Sequence, residues 1–437
     1  MLAKYDYMSD KVLTHKLSLN QSANVSWRNT ELSVRVSMLN VLANKIEQKK
    51  NYLATLITVT MGKPISAAIT EVEKCCLAIR YFADNGASML APIESETSIQ
   101  ILQPLGTVLA VMPWNYPLWQ VIRVLAPNLL LGNSVALCHA PNVFIVAKAL
   151  EDIVDSAGMP KGLLIALLQE HSKTRKLIAS EYINGLAFTG SDKVGALLAG
   201  YSAQALKPST VECGGSDPYI VLQDADLELA TDVIIAMRMN NSGQVCVAAK
   251  RIIVVAEVLH EFLTLVQAKL NRINFADPML ESTVLGPLAR SDIRDQVHAQ
   301  VQEAIKSGAK CLLGGYVPNL AGFFYPPTLL TDVTPDMSVF QEEVFGPVMP
   351  VIVAKNVEQA LLIANQHKYG LGAAVFTRDA ELARAITLKL EAGLCAINRG
   401  ITSDPSLPFG GIGRSGYGRE LGSEGLKSFA NFKVVFK

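Results

Sequence analysis

The 437-residue chain has no surplus of charge: 39 lysines and arginines face 39 aspartates and glutamates. Such a balance creates no field for a polyanion, so neither a nucleic-acid backbone nor an anionic membrane surface is expected as a partner. Nor is there an uninterrupted apolar run of the ~18 residues that a membrane-spanning helix needs, and MLAKYDYMSDK at the start lacks the apolar core of a secretory signal. A cytoplasmic protein is therefore expected. The seven cysteines, Cys75, Cys76, Cys138, Cys213, Cys246, Cys311 and Cys395, are odd in number and include no CxxC or His/Cys cluster. That argues against a disulfide framework and against a structural metal, and for reduced thiols.

What is present is a change of rhythm. Up to about residue 90 the apolar positions recur every three or four residues, as in Leu32, Val36, Leu39, Leu42, Ala43 and Ile46, which predicts helices. From about residue 98 short β-prone runs alternate with helical ones. The runs 107–112, 134–138, 163–168, 183–188 and 208–213 read as strands, and 117–131, 142–157, 172–180 and 191–205 as the helices between them. A second series begins near 217 with PYIVL and continues through RIIVVA, PVMPVIVA, GAAVFT and GLCAIN. Such alternation predicts mainly parallel, doubly wound α/β sheets, with ligands beyond the carboxyl ends of the strands. The apolar tail SFANFKVVFK is expected to pair with an edge of its own chain or of another subunit.

Cys246, in NNSGQVCVAAKR (240–251), stands in a polar, glycine-containing approach. A thiolate is a good nucleophile toward a carbonyl, but near neutral pH only a minor fraction of an unperturbed thiol is ionised, so Cys246 needs a base, a helix terminus or a cation nearby. Lys250 and Arg251 read as the entry to the next strand. Glu212, at the end of a predicted strand, is a candidate base and equally an ion-paired strand-end glutamate. Asn115 in PWNYP could simply stabilise a turn, Arg123 could be a helix-face arginine, and the turn from Gly190 to Gly195 into a helix, which is not GxGxxG, is a common local form.

Taken together, PWNYP (113–117), FTGS within 188–195, VECGG (211–215), GQVC (243–246), EEVFGPV (342–348) and PFGGIGRSGYGRE (408–420) resemble the aldehyde dehydrogenase superfamily in order and spacing. The resemblance implies an α/β fold with a Rossmann-type cofactor domain, a second α/β catalytic domain and a small β oligomerisation element. Its boundaries are expected at 1–213 for the cofactor domain, with 86–104 joining the oligomerisation element, 214–411 for the catalytic domain and 412–437 for the C-terminal return. It implies Cys246 as nucleophile, Asn115 with the backbone N–H of Cys246 as oxyanion donors, and Glu212 as the base that activates water on the thioester. It places Trp114, Cys138, Gly190, Ser191, Gly195, Glu343 and Phe345 around NAD or NADP, assigns no metal, and predicts a homodimer or homotetramer. Glu420 resembles a secondary glutamate of the family, or starts a helix.

Closer wording, WQVIR, HAPNV, ECGGSDP and GQVCVAAKR, resembles bacterial succinate semialdehyde dehydrogenases, where Arg123 and Ser403 would grip the substrate carboxylate. The departures also matter. Cys138, His139 and Pro141 stand where the family has the lysine, proline and glutamate of its adenosine-ribose site, so dual or weakly selective use of NAD and NADP is expected. Val124 replaces a lysine that many members carry, Ala248 stands where some carry a second cysteine, and the family's N-terminal Asn-Pro hairpin has no counterpart before Trp27. Three alternatives stay open: another short-chain or betaine-type aldehyde as substrate, a coenzyme-A-acylating enzyme, and a cofactor-weak, degenerate member.

Overall fold

The structure, a computed structural model, describes residues 5–437. It opens with four helices, α1 (Asp10–Trp27), α2 (Leu32–Gln48), α3 (Lys50–Met61) and α4 (Ile65–Met89), as the three- and four-residue periodicity predicts. A short hairpin follows, β1 (Ile93–Glu94) against β2 (Ser98–Pro104). The predicted alternation then appears: β3 (Thr107–Met112), α5 (Trp119–Leu131), β4 (Ser134–His139), α6 (Phe144–Ser156), β5 (Leu164–Leu167), α7 (Thr174–Ala179), β6 (Gly185–Gly190), α8 (Asp192–Gln204) and β7 (Ser209–Cys213). These strands pair in parallel in the order β7-β6-β3-β4-β5. Helices cover the sheet, so β3 is buried at almost every position, the pattern of a central parallel strand.

The second sheet has seven strands: β8 (Pro218–Val221), β9 (Arg251–Val255), β10 (Lys310–Leu313), β11 (Thr328–Thr331), β12 (Val348–Ala354), then, past the short β13 (Tyr369–Gly370), β14 (Gly372–Phe376) and β15 (Leu394–Ile397). Only β10 runs antiparallel in it. β10 (KCLL) and β11 (TLLT) are four residues each and give no clear alternation, which is why the sequence pattern passes over them. Six helices accompany this half: α9 (Leu227–Met239), α10 (Leu259–Leu270), α11 (Ser291–Lys306), α12 (Ser338–Gln341), α13 (Val357–Asn365) and α14 (Ala380–Thr387).

The last segment adds strands to three of the four sheets, all but the seven-stranded one. β16 (Ile412–Gly413) pairs with β13, β17 (Gly416–Tyr417) adds an antiparallel edge beside β7, and after α15 (Gly422–Lys427) comes β18 (Ala430–Phe436). The tail pairs with its own chain: β18 runs antiparallel to β2 over seven residue pairs. Gly416 faces Glu212 in the β17–β7 ladder, so this return carries chain from the end of the sequence to a candidate base.

One buried ion pair sets the geometry of the loop after β3. Lys63 and Glu71 are both buried and in contact, and the Lys63 ammonium stands 3.6 Å from the ring centre of Tyr116. The other Glu71 oxygen accepts from the backbone N–H of Leu118 (2.9 Å) and Trp119 (3.0 Å), the orphan donors at the start of α5. Removing one member of such a pair strands a buried charge, so Glu71→Ala is expected to lower unfolding free energy by about 3–5 kcal/mol. A denaturant melt of the two proteins checks this, and equal midpoints would refute it.

Candidate active site

Cys246 is delivered by an unusual loop. Asn241, Ser242 and Gly243 have φ of 49°, 54° and 76°, three successive left-handed residues of which only the last is free of steric cost. Gly243 is required twice, since a Cβ there would also collide with Gly346 O. Side chains hold the loop in place. Asn241 Nδ2 donates to Asn115 O (2.9 Å), Ser242 Oγ to Gly286 O (2.8 Å) and Gln244 Nε2 to Asn241 O (3.0 Å). Asn115 returns the contact, its Nδ2 donating to Gln244 O at 3.0 Å, two residues before the thiol. It is thus a brace across the two halves, and its amide keeps a second N–H for another acceptor.

Glu212 lies near the end of β7, buried between Thr189 of β6 and Gly416 of β17, and neither carboxylate oxygen has a hydrogen-bond donor. Burial pushes its carboxyl up to about 8, with Arg123 drawing it down and Glu420 and Glu343 adding to the rise. Arg123 Nη2 is 3.8 Å from Glu212, and its Nε is 2.8 Å from Glu420, a contact out of line for a hydrogen bond. Glu420 sits in an isolated bridge with Phe409 ahead of α15, so it does not start a helix, and burial raises its carboxyl too. Burial also lifts the Cys246 thiol well above its ordinary value. Glu212 adds to that, and Arg123 and Lys250 oppose it.

The residues assigned to a cofactor lie on the other side of the thiol loop. Ser191 caps α8 at the carboxyl end of β6, its Oγ accepting from Val194 N at 3.4 Å, with Gly190 before it and the buried Gly195 in the first turn. Gly195 has no room for a side chain, because Cys213, Val211 and Phe188 close on it. Trp114 and Phe345 meet edge to face at 5.7 Å between centroids. Glu343 pairs with Lys250 (2.5 Å), whose Nζ also donates to Cys246 O (2.5 Å). A Cβ on Gly214 would fill the space taken by the Glu343 carboxylate. This set suits a dinucleotide: a helix terminus for phosphates, a carboxylate for ribose hydroxyls, aromatic walls, and a buried Thr189 hydroxyl without a partner beside Gly190.

Cys138 ends β4, two strands from Gly190, with its sulfur 3.6 Å from Gln169 Nε2; burial pushes its thiol up to about 12, so it presents a neutral sulfur. His139 serves the fold. Its Nε2 lies 2.8 Å from Pro117 O, and its Nδ1 lies 3.1 Å from Met112 O and 3.0 Å from Ala140 N, which fastens the Asn115 loop to β4.

Against known proteins, a family model described as "Aldehyde dehydrogenase family" matches residues 1–435. The chain belongs to the aldehyde dehydrogenase family. It is 42% identical over 425 residues, 96% of this chain and 94% of the other, to a Synechocystis protein named probable succinate-semialdehyde dehydrogenase [NADP(+)]. It is 41% identical over 415 residues, 94% and 90% of the two chains, to an Escherichia coli K12 succinate semialdehyde dehydrogenase [NAD(P)+]. In structure it is similar to a Streptococcus pyogenes succinic semialdehyde dehydrogenase solved with NADP+ as the cofactor, with TM-score 0.97, 34% identity and coverage of 100% and 97%. As an aldehyde dehydrogenase it is an oxidoreductase that works with NAD or NADP, and its fold is the α/β fold of that family. No helix among the described residues is long and apolar enough to cross a membrane.

On the side of Cys246 away from Glu343, a cavity of about 350 Å³ is lined by Cys246, Arg123, Ser403, Lys74, Trp119 and Phe409, among others. It is at the small end of ligand pockets, ~300–1,000 Å³. Sequence reasoning missed Lys74 and Trp119, because both sit in helices that read as packing, and it set Lys250 aside as strand entry. Arg251 does begin β9, donating to Ser216 O and to the carbonyls of Ile363 and Ala364. Lys250 instead touches both the thiol loop and Glu343. The only earlier signal was a lysine placed four residues after Cys246.

Because Glu212 loses its proton near pH 8, any step that uses it as a base should quicken as pH rises through about 8. Arg123→Met removes the cation that holds Glu212 down, so the rise should move to higher pH. A pH profile of kcat for both proteins tests this, and an unmoved profile would disconnect Arg123 from Glu212.

Proposed function

We propose that the enzyme oxidises succinate semialdehyde, or a similarly short aldehyde ending in an acid, to the carboxylate with NAD or NADP. One observation carries the reading: the cavity that opens on Cys246 has two cations, Arg123 and Lys74, and the Ser403 hydroxyl on its walls. The names of the bacterial relatives support it. A betaine-type aldehyde would bring a cation to those same walls.

In this scheme Cys246, as thiolate, adds to the aldehyde carbon. The oxyanion that forms meets the free amide N–H of Asn115 and the backbone N–H of Cys246; losing one such donor costs about 3 kcal/mol of barrier. A bound NAD or NADP would supply the hydride acceptor that this carbon needs to become a thioester on Cys246. Trp114, Gly190, Ser191, Gly195, Glu343 and Phe345 would hold the dinucleotide, with Cys138 at its adenosine end. Glu212 then takes a proton from water as that water attacks the thioester, and the collapse releases the acid and the Cys246 thiolate. A buried base beside the thiol favours water over coenzyme A as the resolving nucleophile.

The neutral Cys138 gives a 2′-phosphate no cation and a free 2′-hydroxyl no acceptor as strong as a carboxylate, which supports weak selection between NADP and NAD. A homo-oligomer, dimer or tetramer, belongs to the same reading: among the described residues β18 pairs only with β2, and Phe432, Val434, Val435 and Phe436 on it are exposed. Seven free thiols support a reducing, cytoplasmic setting.

Succinate semialdehyde, butanal and betaine aldehyde assayed with NAD and with NADP should give the highest kcat/KM for succinate semialdehyde; a preference for either other aldehyde would overturn the substrate. Cys246→Ala should fold and lose turnover. Glu212→Gln should give one burst of reduced cofactor per site and then a steady rate lower by about 10²–10⁴-fold, whereas an undiminished steady rate would remove Glu212 from deacylation.

A further inference from the structure

A lysine ammonium without access to water is costly unless strong acceptors replace its lost hydration, so the acceptors around a buried lysine show what its charge is used for. The Lys250 side chain is 1% exposed and stands one residue ahead of β9. Its backbone N–H donates to Asp217 O at 3.1 Å, which fixes the root of the side chain. The ammonium donates to Cys246 O and to Glu343 Oε1, each at 2.5 Å, and the ring centre of Phe345 is 5.8 Å away.

The two acceptors belong to different halves of the site. Cys246 O is the carbonyl of the residue that carries the thiol. Asn115 already holds Gln244 O, two residues earlier, so with Lys250 the chain is pinned on both sides of the Cys246 side chain. Glu343 belongs to the cofactor side. Among the described residues the one other donor to its carboxylate is Gly215 N, at 3.4 Å, and a fifth of the side chain stays exposed. Both donors go to Oε1. That leaves Oε2, which overlies Gly214 where a Cβ would come within 1.9 Å of it, to accept from a ligand.

We propose that Lys250 is a positioning residue that keeps nucleophile and cofactor in register: one ammonium fixes the backbone at Cys246 and holds the Glu343 carboxylate with an oxygen free for the cofactor's ribose hydroxyls. The proposal rests on the reading of Glu343 as a ribose contact given above. A charge in that place acts on the thiol as well. Burial and Glu212 lift the Cys246 thiol and Asp217 adds to the rise, while Arg123 and Lys250 oppose it. Neutralising Lys250 would remove one of those two cations and leave Glu343, whose charge already adds to the rise at Glu212, without its partner. Thiol and cofactor contact thus depend on the same cation, which an ion pair serving only the fold would not produce.

Two measurements on enzyme stripped of cofactor separate register from stability: the Kd for NADH and NADPH, read by their fluorescence, and the rate of iodoacetamide alkylation at Cys246, read by peptide mass. Lys250→Met is expected to weaken both dinucleotides by about 10- to 100-fold, the loss of one charge-assisted hydrogen bond, and to slow alkylation at neutral pH by about 3- to 10-fold. Lys250→Arg, which keeps the charge, should stay within a few-fold of wild type in both. Lys250→Gln, which keeps a donor without the charge, should move both quantities in the direction of Lys250→Met, and it decides the matter if Lys250→Met does not fold. Glu343→Gln should weaken the dinucleotides and, with Lys250 no longer balanced, speed alkylation. A wild-type value of either quantity in the neutral Lys250 variants, whatever their Tm, overturns the proposal while weakened binding in Glu343→Gln leaves the ribose reading standing. Wild-type binding in Glu343→Gln removes both together.

Discussion

Glu212, Arg123 and Glu420 place two carboxyl groups and one guanidinium in one buried cluster, and the rest of the site is arranged around it. Burial raises both carboxyls and Arg123 opposes it only in part, with the neighbouring carboxylates adding to the rise at Glu212. For a structural glutamate this would be a defect. For a base that must take a proton from water near neutral pH it is the required tuning, because a carboxylate left at its ordinary value would be too weak. The cluster joins three distant parts of the chain: β7, α5 and the segment before α15. The C-terminal return of β17 along β7 therefore shapes the surroundings of Glu212 as well as the fold.

Two further ion pairs carry this order outward. Lys63 and Glu71 fix the start of α5, and with it the loop bearing Asn115 and the helix bearing Arg123. Lys250 and Glu343 couple the thiol loop to the residue expected at the nicotinamide ribose, since the same ammonium holds Cys246 O. The left-handed run Asn241–Gly243 can persist because these contacts over-determine it.

The strands of both sheets were legible because parallel strands buried on both faces read as continuous apolar runs bounded by turn residues, and 107–112 is the β3 found in the structure. β10 and β11 carry no such pattern and were not. Cys246, Asn115 and Glu212 could be singled out as candidates through motifs, and the structure brings Asn115 to the Cys246 loop and buries Glu212. Lys74 and Trp119 could not, because a lysine in an amphipathic helix has the same spacing whether it faces water or a cavity, and only packing against the loop of Ser403 separates the two cases. The ion pairs were hidden for a related reason: a pair such as Lys250 and Glu343 is 93 residues apart in sequence, and charge alone does not announce its partner.

Arg123 links this cluster to the cavity that opens on Cys246, since it lines that cavity while its guanidinium faces Glu212 and Glu420. A negative group bound in the cavity would offset part of the charge by which Arg123 draws Glu212 down, and so would raise the proton affinity of that carboxyl further. A cationic group there would do the reverse. The charge of whatever occupies the cavity and the protonation of Glu212 are therefore coupled through one guanidinium.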